Sequence, residues 1–203
     1  AYFNRGVEKL DLELYQEAIE DYKVVLKLDP TEKSAYYNLG LVYMNLKNYD
    51  DALRNLDIAI KLDKTVSNFY SKRGSVKLNL GKNLEALRDF EAALKINPKS
   101  KDALFDLGLT ISIIGEPNEA IKSFSKIIKL DPKFLDAYLA RAENYKDLER
   151  YNEAINDFKV VIDLDPKQKD AFHEIGYCLI DIENYNEAIL NFSKAIELDE
   201  KSL

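Results

Sequence analysis

Side chains that could take part in binding recur along this chain at a fixed spacing. Asn4 and Asn38 lie 34 residues apart, and Asp102, Asp136 and Asp170 repeat at the same interval. An asparagine amide both donates and accepts a hydrogen bond, so it can pair with one peptide unit of a ligand. A groove lined by carboxylates would concentrate basic side chains near it. The pattern favours a surface that binds a polypeptide.

Residues that could catalyse a reaction or hold a metal are scarce. His173 is the only histidine and Cys178 the only cysteine in 203 residues. A metal site or an activated nucleophile needs partner residues that this chain hardly supplies. We therefore expect no enzyme activity, no metal and no cofactor. Cys178 follows Gly176 on an apolar stretch, so we interpret it as a small core residue rather than a reactive thiol.

The elements that must position these residues are copies of one 34-residue unit. A small residue marks the first half of every copy: Gly6, Gly40, Gly74, Gly108, Ala142 and Gly176. An alanine follows twelve residues later: Ala18, Ala52, Ala86, Ala120, Ala154 and Ala188. Apolar residues recur at intervals of three and four in two runs per copy, which predicts a helical hairpin. Glycine inside a helix costs roughly 1 kcal/mol relative to alanine, so its recurrence predicts close helix packing, as between Gly40 and Ala52.

Turn and cap residues agree with this interpretation. Gly81 and Gly115 are predicted to lie between the two helices of a hairpin in a left-handed conformation. Pro117 suits the first turn of a helix. Four prolines follow an Asp or Asn at the end of a second helix: Pro30, Pro98, Pro132 and Pro166. We predict one continuous all-α solenoid over residues 1–203, with repeats at about 1–32, 33–66, 67–100, 101–134, 135–168 and 169–203.

These residues resemble the tetratricopeptide repeat family. The family pattern is met in the second copy by Tyr36, Leu39, Gly40, Tyr43, Ala52 and Ala59, and in the third by Tyr70, Gly74, Ala86, Phe90, Ala93 and Pro98. Arg73 and Arg141 stand where leucine is usual, and Lys9 and Lys77 where an aromatic residue is usual. The resemblance implies a right-handed superhelical solenoid of antiparallel helix hairpins that serves as a non-catalytic scaffold for protein–protein interaction.

The resemblance also implies that the first helices line a concave groove. The candidate peptide-binding residues are Phe3, Asn4, Val7, Tyr37, Asn38, Leu41, Asn68, Ser71, Lys72, Asp102, Phe105, Asp106, Leu109, Asp136, Glu143, Asp170, His173, Glu174 and Tyr177. The first three copies contribute apolar side chains, amides and one cation, and the last three contribute carboxylates. We expect a protein or peptide partner whose apolar residues meet the first half and whose basic residues meet the second.

Three other functions fit these residues less well. Relatives that clamp the terminal carboxylate of chaperone tails use five residues, of which only Asn38 and Lys72 have counterparts here, so we predict that this chain is not such a receptor. The Asn4 and Asn38 pair resembles the asparagine ladder of glycosyltransferase arms, which leaves open a substrate-recruiting arm of a larger enzyme. An RNA-binding helical repeat rests on Lys72, Arg73, Lys77 and Lys82 alone. The net charge of −7 argues against nucleic acid as a partner.

The remaining expectations concern the ends of the chain and its surroundings. No run of eighteen apolar residues is present, so we expect no membrane partner. The compartment stays unknown, with the cytoplasm favoured. The start at Ala1, inside an expected helix, suggests a fragment or a processed product. The last copy has no polar capping helix, and its apolar residues predict either further sequence or self-association through this end: Ile189, Phe192, Ala195 and Ile196.

Overall fold

A computed structural model describes residues 1–200, and every regular element among them is an α-helix. The helices are α1 (Tyr2–Asp11), α2 (Tyr15–Leu28), α3 (Lys33–Asn45), α4 (Tyr49–Leu62), α5 (Ser67–Asn79), α6 (Asn83–Ile96), α7 (Lys101–Ile114), α8 (Pro117–Leu130), α9 (Leu135–Asp147), α10 (Tyr151–Leu164), α11 (Lys169–Asp181) and α12 (Tyr185–Glu200). Consecutive helices pack as pairs, for example α1 with α2 and α11 with α12. The predicted all-α fold of helix hairpins is confirmed.

The chain divides into two compact units. The first is Ala1–Asp106, and the second begins at Leu107, so the boundary lies inside α7. In the first unit the largest fully buried side chains include Tyr22, Leu56 and Phe90. In the second unit Phe158 is fully buried and belongs to a cluster that joins α9, α10, α11 and α12.

The turn inside each hairpin has the same backbone conformation. Six residues at 34-residue intervals have a positive φ: Glu13, Lys47, Gly81, Gly115, Glu149 and Glu183. After α3, the Asn48 N–H donates to the Tyr43 carbonyl at 2.8 Å, which closes the helix end as in a Schellman cap. The sequence predicted this conformation only at the two glycines. At the other positions a charged residue adopts the positive φ, because the hydrogen bonds that close the helix end fix the backbone conformation.

The second helices end where the prolines indicated. α2, α6, α8 and α10 each stop one residue before an Asp or Asn that precedes proline. The side chain of Asp29 then accepts a hydrogen bond from the Thr31 N–H at 2.9 Å, which fixes the turn into α3. Pro117 lies in the first turn of α8, as predicted.

The recurring glycines provide space for a large side chain. A Cβ added at Gly108 would lie 2.7 Å from Phe124 Cε1, and one at Gly40 would lie 2.7 Å from Leu56 Cγ. The nearest Ala52 atom at the same site is its carbonyl oxygen, at 3.5 Å. The predicted close packing is therefore confirmed, but the glycine makes room mainly for the residue sixteen positions later rather than for the alanine at twelve.

The arginines that depart from the repeat pattern form ion pairs with buried aspartates. Arg73 Nε and Nη2 donate to the two carboxylate oxygens of Asp89 at 2.9 and 2.6 Å. The first and fifth hairpins contain the same pair: Arg5 with Asp21 and Arg141 with Asp157. The intervening hairpins have Leu39, Leu107 and Ile175 at the arginine position. Hairpins of two types therefore alternate, and their common period is two repeats.

Candidate peptide-binding surface

The first helices of the N-terminal unit form a surface together. α1 contacts α3, and α3 contacts α5. Asn4, Asn68 and Asp102 are exposed among the predicted binding residues of this unit. Apart from Ser71, the remaining predicted binding residues of this unit are partly buried: Phe3, Val7, Tyr37, Asn38, Leu41, Lys72, Phe105 and Asp106. A ligand lying across these helices could therefore reach amide and aromatic groups on adjacent helices.

Packing fixes the aromatic side chains of this surface. The Phe3 ring meets the Tyr22 ring edge to face, with centroids 5.9 Å apart. The Tyr37 ring lies 5.1 Å from the Phe69 ring. Side chains that are already held in place lose less conformational freedom when a ligand binds. The surface is partly preorganised for contact.

Ser71 is not part of this surface. Its side chain is buried, and its hydroxyl has no hydrogen-bond partner among the residues that the structure describes. Ser71 precedes Gly74 by three residues, so the two share the inward face of α5. Ser71 was predicted to line the groove, but the structure places its side chain toward the core.

A hydrogen bond between α5 and α7 lies at the end of this surface. The Ser75 hydroxyl donates to Asp106 Oδ2 at 3.1 Å. Burial raises the pKa of Asp106, while the Ser75 hydrogen bond and the charge of Lys72 act in the opposite direction. Lys72 and Asp106 therefore present a neighbouring cation and carboxyl group rather than a cation alone.

In the second unit the predicted carboxylates are partly neutralised. Asp136, Glu143 and Asp170 are exposed, as are His173 and Tyr177, while Leu109 and Glu174 are half-buried. Lys146 Nζ, on α9, lies 3.0 Å from Glu143 Oε2 and also forms an ion pair with Glu174.

The last three copies were expected to present carboxylates to a basic partner, but Glu143 and Glu174 already pair with Lys146. The sequence reasoning missed Lys146, although its place three residues after Glu143 on one helix is a spacing at which ion pairs form. Two of the acidic groups that were expected to meet a basic partner already share a cation of this chain.

The isolated histidine and cysteine lie in different surroundings. The exposed His173 ring packs edge to face against the Tyr177 and Phe192 rings, at centroid distances of 6.3 and 5.8 Å. Cys178 is buried, and burial raises the pKa of its thiol to about 11, so it is protonated at neutral pH. Among residues 1–200, no group of histidine, cysteine and carboxylate side chains is arranged to hold a metal ion. The described helices also include none that is long and apolar enough to cross a membrane.

Sequence comparison identifies the repeat. Models of the tetratricopeptide repeat match residues 8–47, 34–65, 71–133, 135–168 and 170–202. The chain belongs to the tetratricopeptide repeat family. This membership, with the packing described above, supports a role as a protein-interaction scaffold. Comparison with curated proteins gives no significant match.

Solved structures share the tetratricopeptide fold. The crystal structure of MamA is 29% identical, with a TM-score of 0.74 over 81% of this chain and 96% of that chain. The C-terminal part of a tetratricopeptide protein from Cytophaga hutchinsonii is 18% identical, with a TM-score of 0.88 over 98% of this chain and 80% of that one. YrrB, described as having an unusual peptide-binding site, is 22% identical, with a TM-score of 0.76 over 87% of this chain and 91% of its own. The last two likenesses concern the fold alone.

Proposed function

We propose that this chain is a non-catalytic scaffold that binds a peptide or protein segment across the first helices of its N-terminal unit. The observation that carries the proposal is the direct succession of α1, α3 and α5: α1 and α3 each present an amide beside apolar side chains, and α5 presents an amide and a lysine. Asn4 and Asn38 would hydrogen-bond the ligand backbone, since an amide matches one peptide unit. Phe3 and Tyr37 would receive its apolar side chains.

The charges suggest which polar residues the ligand would have. In the first unit, Lys72 and Asp106 lie near each other and would favour a ligand with both an acidic and a basic residue. In the second unit, the exposed Asp136 and Asp170 would favour basic residues. The description of YrrB as a peptide-binding tetratricopeptide protein supports this class of ligand.

An RNA ligand is disfavoured because basic side chains that would have to bind its phosphates are paired with carboxylates of this chain. Arg73 pairs with Asp89 and Asp57, and Lys77 Nζ lies 2.9 Å from Asp89 Oδ2. These two side chains are largely neutralised within the chain, so Lys72 and Lys82 would have to bind phosphate almost alone. We propose a polypeptide as partner and no nucleic acid.

The test uses a displayed library of random peptides selected on the full chain. Affinities of the selected peptides are then measured for an Asn38→Ala, Lys72→Ala variant. A Glu20→Ala, Lys23→Ala variant serves as the control, because this exposed pair lies on α2, a second helix. We expect about a tenfold loss or more with the first variant and no loss with the second. Equal binding to all three proteins would contradict the proposed site.

A further inference from the structure

Two rows of polar side chains cross the first helices of the N-terminal unit. The first row contains equivalent residues of the first three repeats: Asn4, Asn38 and Lys72. The second row contains the residue seven positions later, at the last position of each helix: Asp11, Asn45 and Asn79. Seven residues make almost two helical turns, so the members of a pair point from the same face of their helix. All three residues of the second row are exposed, and they extend the candidate peptide surface.

The spacing of the two rows matches an extended peptide that has a hydrogen-bonding neighbour on each side. Seven residues of an α-helix span about 10 Å along the helix axis. In a β-sheet, the two neighbours of a central strand lie about 9.6 Å apart, which is twice the spacing of adjacent strands. A strand that crosses the helices between the rows would therefore turn one backbone edge toward each row.

The side chains between the rows favour an extended ligand over a helical one. Val7 on α1 and Leu41 on α3 are half-buried there, whereas α5 has Ser75, whose hydroxyl donates to Asp106. A helical ligand would use an apolar stripe at least about 100° wide. The space between the rows offers one apolar side chain on each of two helices. An extended chain needs contact only with alternate side chains, which such a narrow apolar strip can provide.

The amides of the second row can hydrogen-bond a peptide backbone. Asn79 Nδ2 donates to the Ser75 carbonyl oxygen at 3.0 Å, which orients the amide and leaves its own oxygen to accept a peptide N–H. Asn45 is exposed, and its amide can both donate and accept. In the second unit, the equivalent positions of both rows carry no amide: Ile113, Ala140, Asp147, Glu174 and Asp181. The two amide-containing rows are therefore specific to the unit that carries the proposed peptide surface.

We propose that the ligand crosses the N-terminal unit as an extended strand held along both backbone edges, and that Asn45 and Asn79 are binding residues on the edge opposite the first row. This inference rests on the proposed function and adds the conformation of the ligand and a second row of contacts. Main-chain hydrogen bonds supply affinity that depends little on the ligand's sequence. Its inward side chains above Val7 and Leu41 supply a preference for apolar residues at alternate positions.

The test uses peptides selected on the full chain from the displayed library. Their affinities are measured for an Asn45→Ala, Asn79→Ala variant, and we expect a loss of about tenfold or more, because two hydrogen-bonding groups are removed. The matched control is Asn118→Ala, Asn156→Ala, which removes two exposed amides from the second helices α8 and α10. The control should leave the affinities unchanged. Thermal unfolding verifies that both variants fold.

Methylation of single backbone nitrogens in a selected peptide shows which edge of the ligand meets which row. Successive N–H groups of an extended chain point to opposite edges, and a methyl group removes the donor. With the wild-type protein, methylation within either alternate set of residues, odd or even, should weaken binding. With the Asn45→Ala, Asn79→Ala variant, only the set that faces the first row should remain sensitive to methylation.

The outcomes separate this inference from the proposed function. A loss with Asn38→Ala, Lys72→Ala but none with Asn45→Ala, Asn79→Ala would overturn the inference and leave the proposed function intact. An equal loss with the Asn118→Ala, Asn156→Ala control would overturn it as well. So would methylation effects confined to one set in the wild-type protein, or effects in both sets that the variant does not change. If no peptide is selected, or if Asn38→Ala, Lys72→Ala causes no loss, the proposed function and this inference both fail.

Discussion

Arg141 holds Asp157 through two parallel hydrogen bonds inside the fifth hairpin. Its Nε lies 2.8 Å from Oδ2 and its Nη2 lies 2.7 Å from Oδ1. A third donor, Nη1, reaches the Ser125 hydroxyl of the preceding hairpin at 2.9 Å. The carboxylate is buried, and its hydrogen bond with Arg141 raises the pKa of the guanidinium. One side chain therefore joins two second helices and keeps a buried charge paired.

Removing Arg141 alone should be strongly destabilising. Arg141→Leu leaves the Asp157 carboxylate buried without its two donors, at a cost of about 3 to 5 kcal/mol in the free energy of unfolding. The double variant Arg141→Leu, Asp157→Asn recreates the Leu39 and Asn55 combination of the second hairpin and should recover most of that loss. Urea unfolding of the three proteins measures both effects. A double variant no more stable than the single one would show that the two positions are not coupled.

The Arg5–Asp21 ion pair of the first hairpin should make the stability of the fold depend on pH in the acidic range. Hydrogen bonds from Arg5 and, to a smaller extent, from Lys9 lower the pKa of Asp21 to about 2, against the opposing effect of burial. A carboxyl group with a lowered pKa in the folded state stabilises the fold above its unfolded pKa of about 4, and this contribution disappears as the pH falls toward 2.

The stability difference between wild type and Asp21→Asn should accordingly be largest near neutral pH. It should shrink between about pH 4 and pH 2. Thermal unfolding over that range provides the measurement. A difference independent of pH would mean that the Asp21 charge does not contribute.

Crowding at Gly108 gives a third prediction. Its position lies against the rigid ring of Phe124, so Gly108→Leu should destabilise the chain by several kcal/mol, about 3 or more, through overpacking. Gly115→Ala is the comparison, because a Cβ there would meet no atom within 4 Å and only the positive φ is unfavourable. Its cost should be smaller, about 1 to 2 kcal/mol. An unchanged melting temperature for Gly108→Leu would show that the helix register is different.

The left-handed turn positions offer a stabilising change. Lys47 has a φ of +56°, which glycine adopts without steric cost. Lys47→Gly should raise the free energy of unfolding by about 0.5 to 1 kcal/mol. Asn45→Gly, at the last residue of α3, should instead lower it slightly, by about 0.3 kcal/mol, because glycine has a lower helix propensity than asparagine. Chemical denaturation of both variants measures whether the free energy of unfolding rises in one and falls in the other.

The sequence was sufficient for the helices because their signal is local and repeated. The periodic apolar residues, Pro117 and the glycines Gly81 and Gly115 each indicate structure within a few positions of themselves. The contacts that side chains make with other helices cannot be read from neighbouring positions in the sequence. Arg73 was recognised only as an exception to the pattern, since its partner Asp89 is sixteen residues away on another helix.

The candidate surface was predictable in outline and not in detail. The repeat register predicted accessible positions for Asn38 and Tyr37 on α3, and both are partly accessible, but it also predicted an accessible position for Ser71, whose side chain is buried. It also could not reveal that Lys146 would turn toward Glu174 on a different helix. Whether these residues bind a peptide remains a prediction.

The alternation of the two hairpin types limits how this chain could change its length. Arg73 Nη1 reaches Asp57 of the hairpin before it, at 2.6 Å. Excising one repeat, for example residues 35–68, would bring Lys23 to the place of Asp57 and set two cations side by side. Excising or duplicating two repeats together would keep the partners matched. A block of 68 residues is therefore the shortest length whose removal or duplication would preserve these ion pairs.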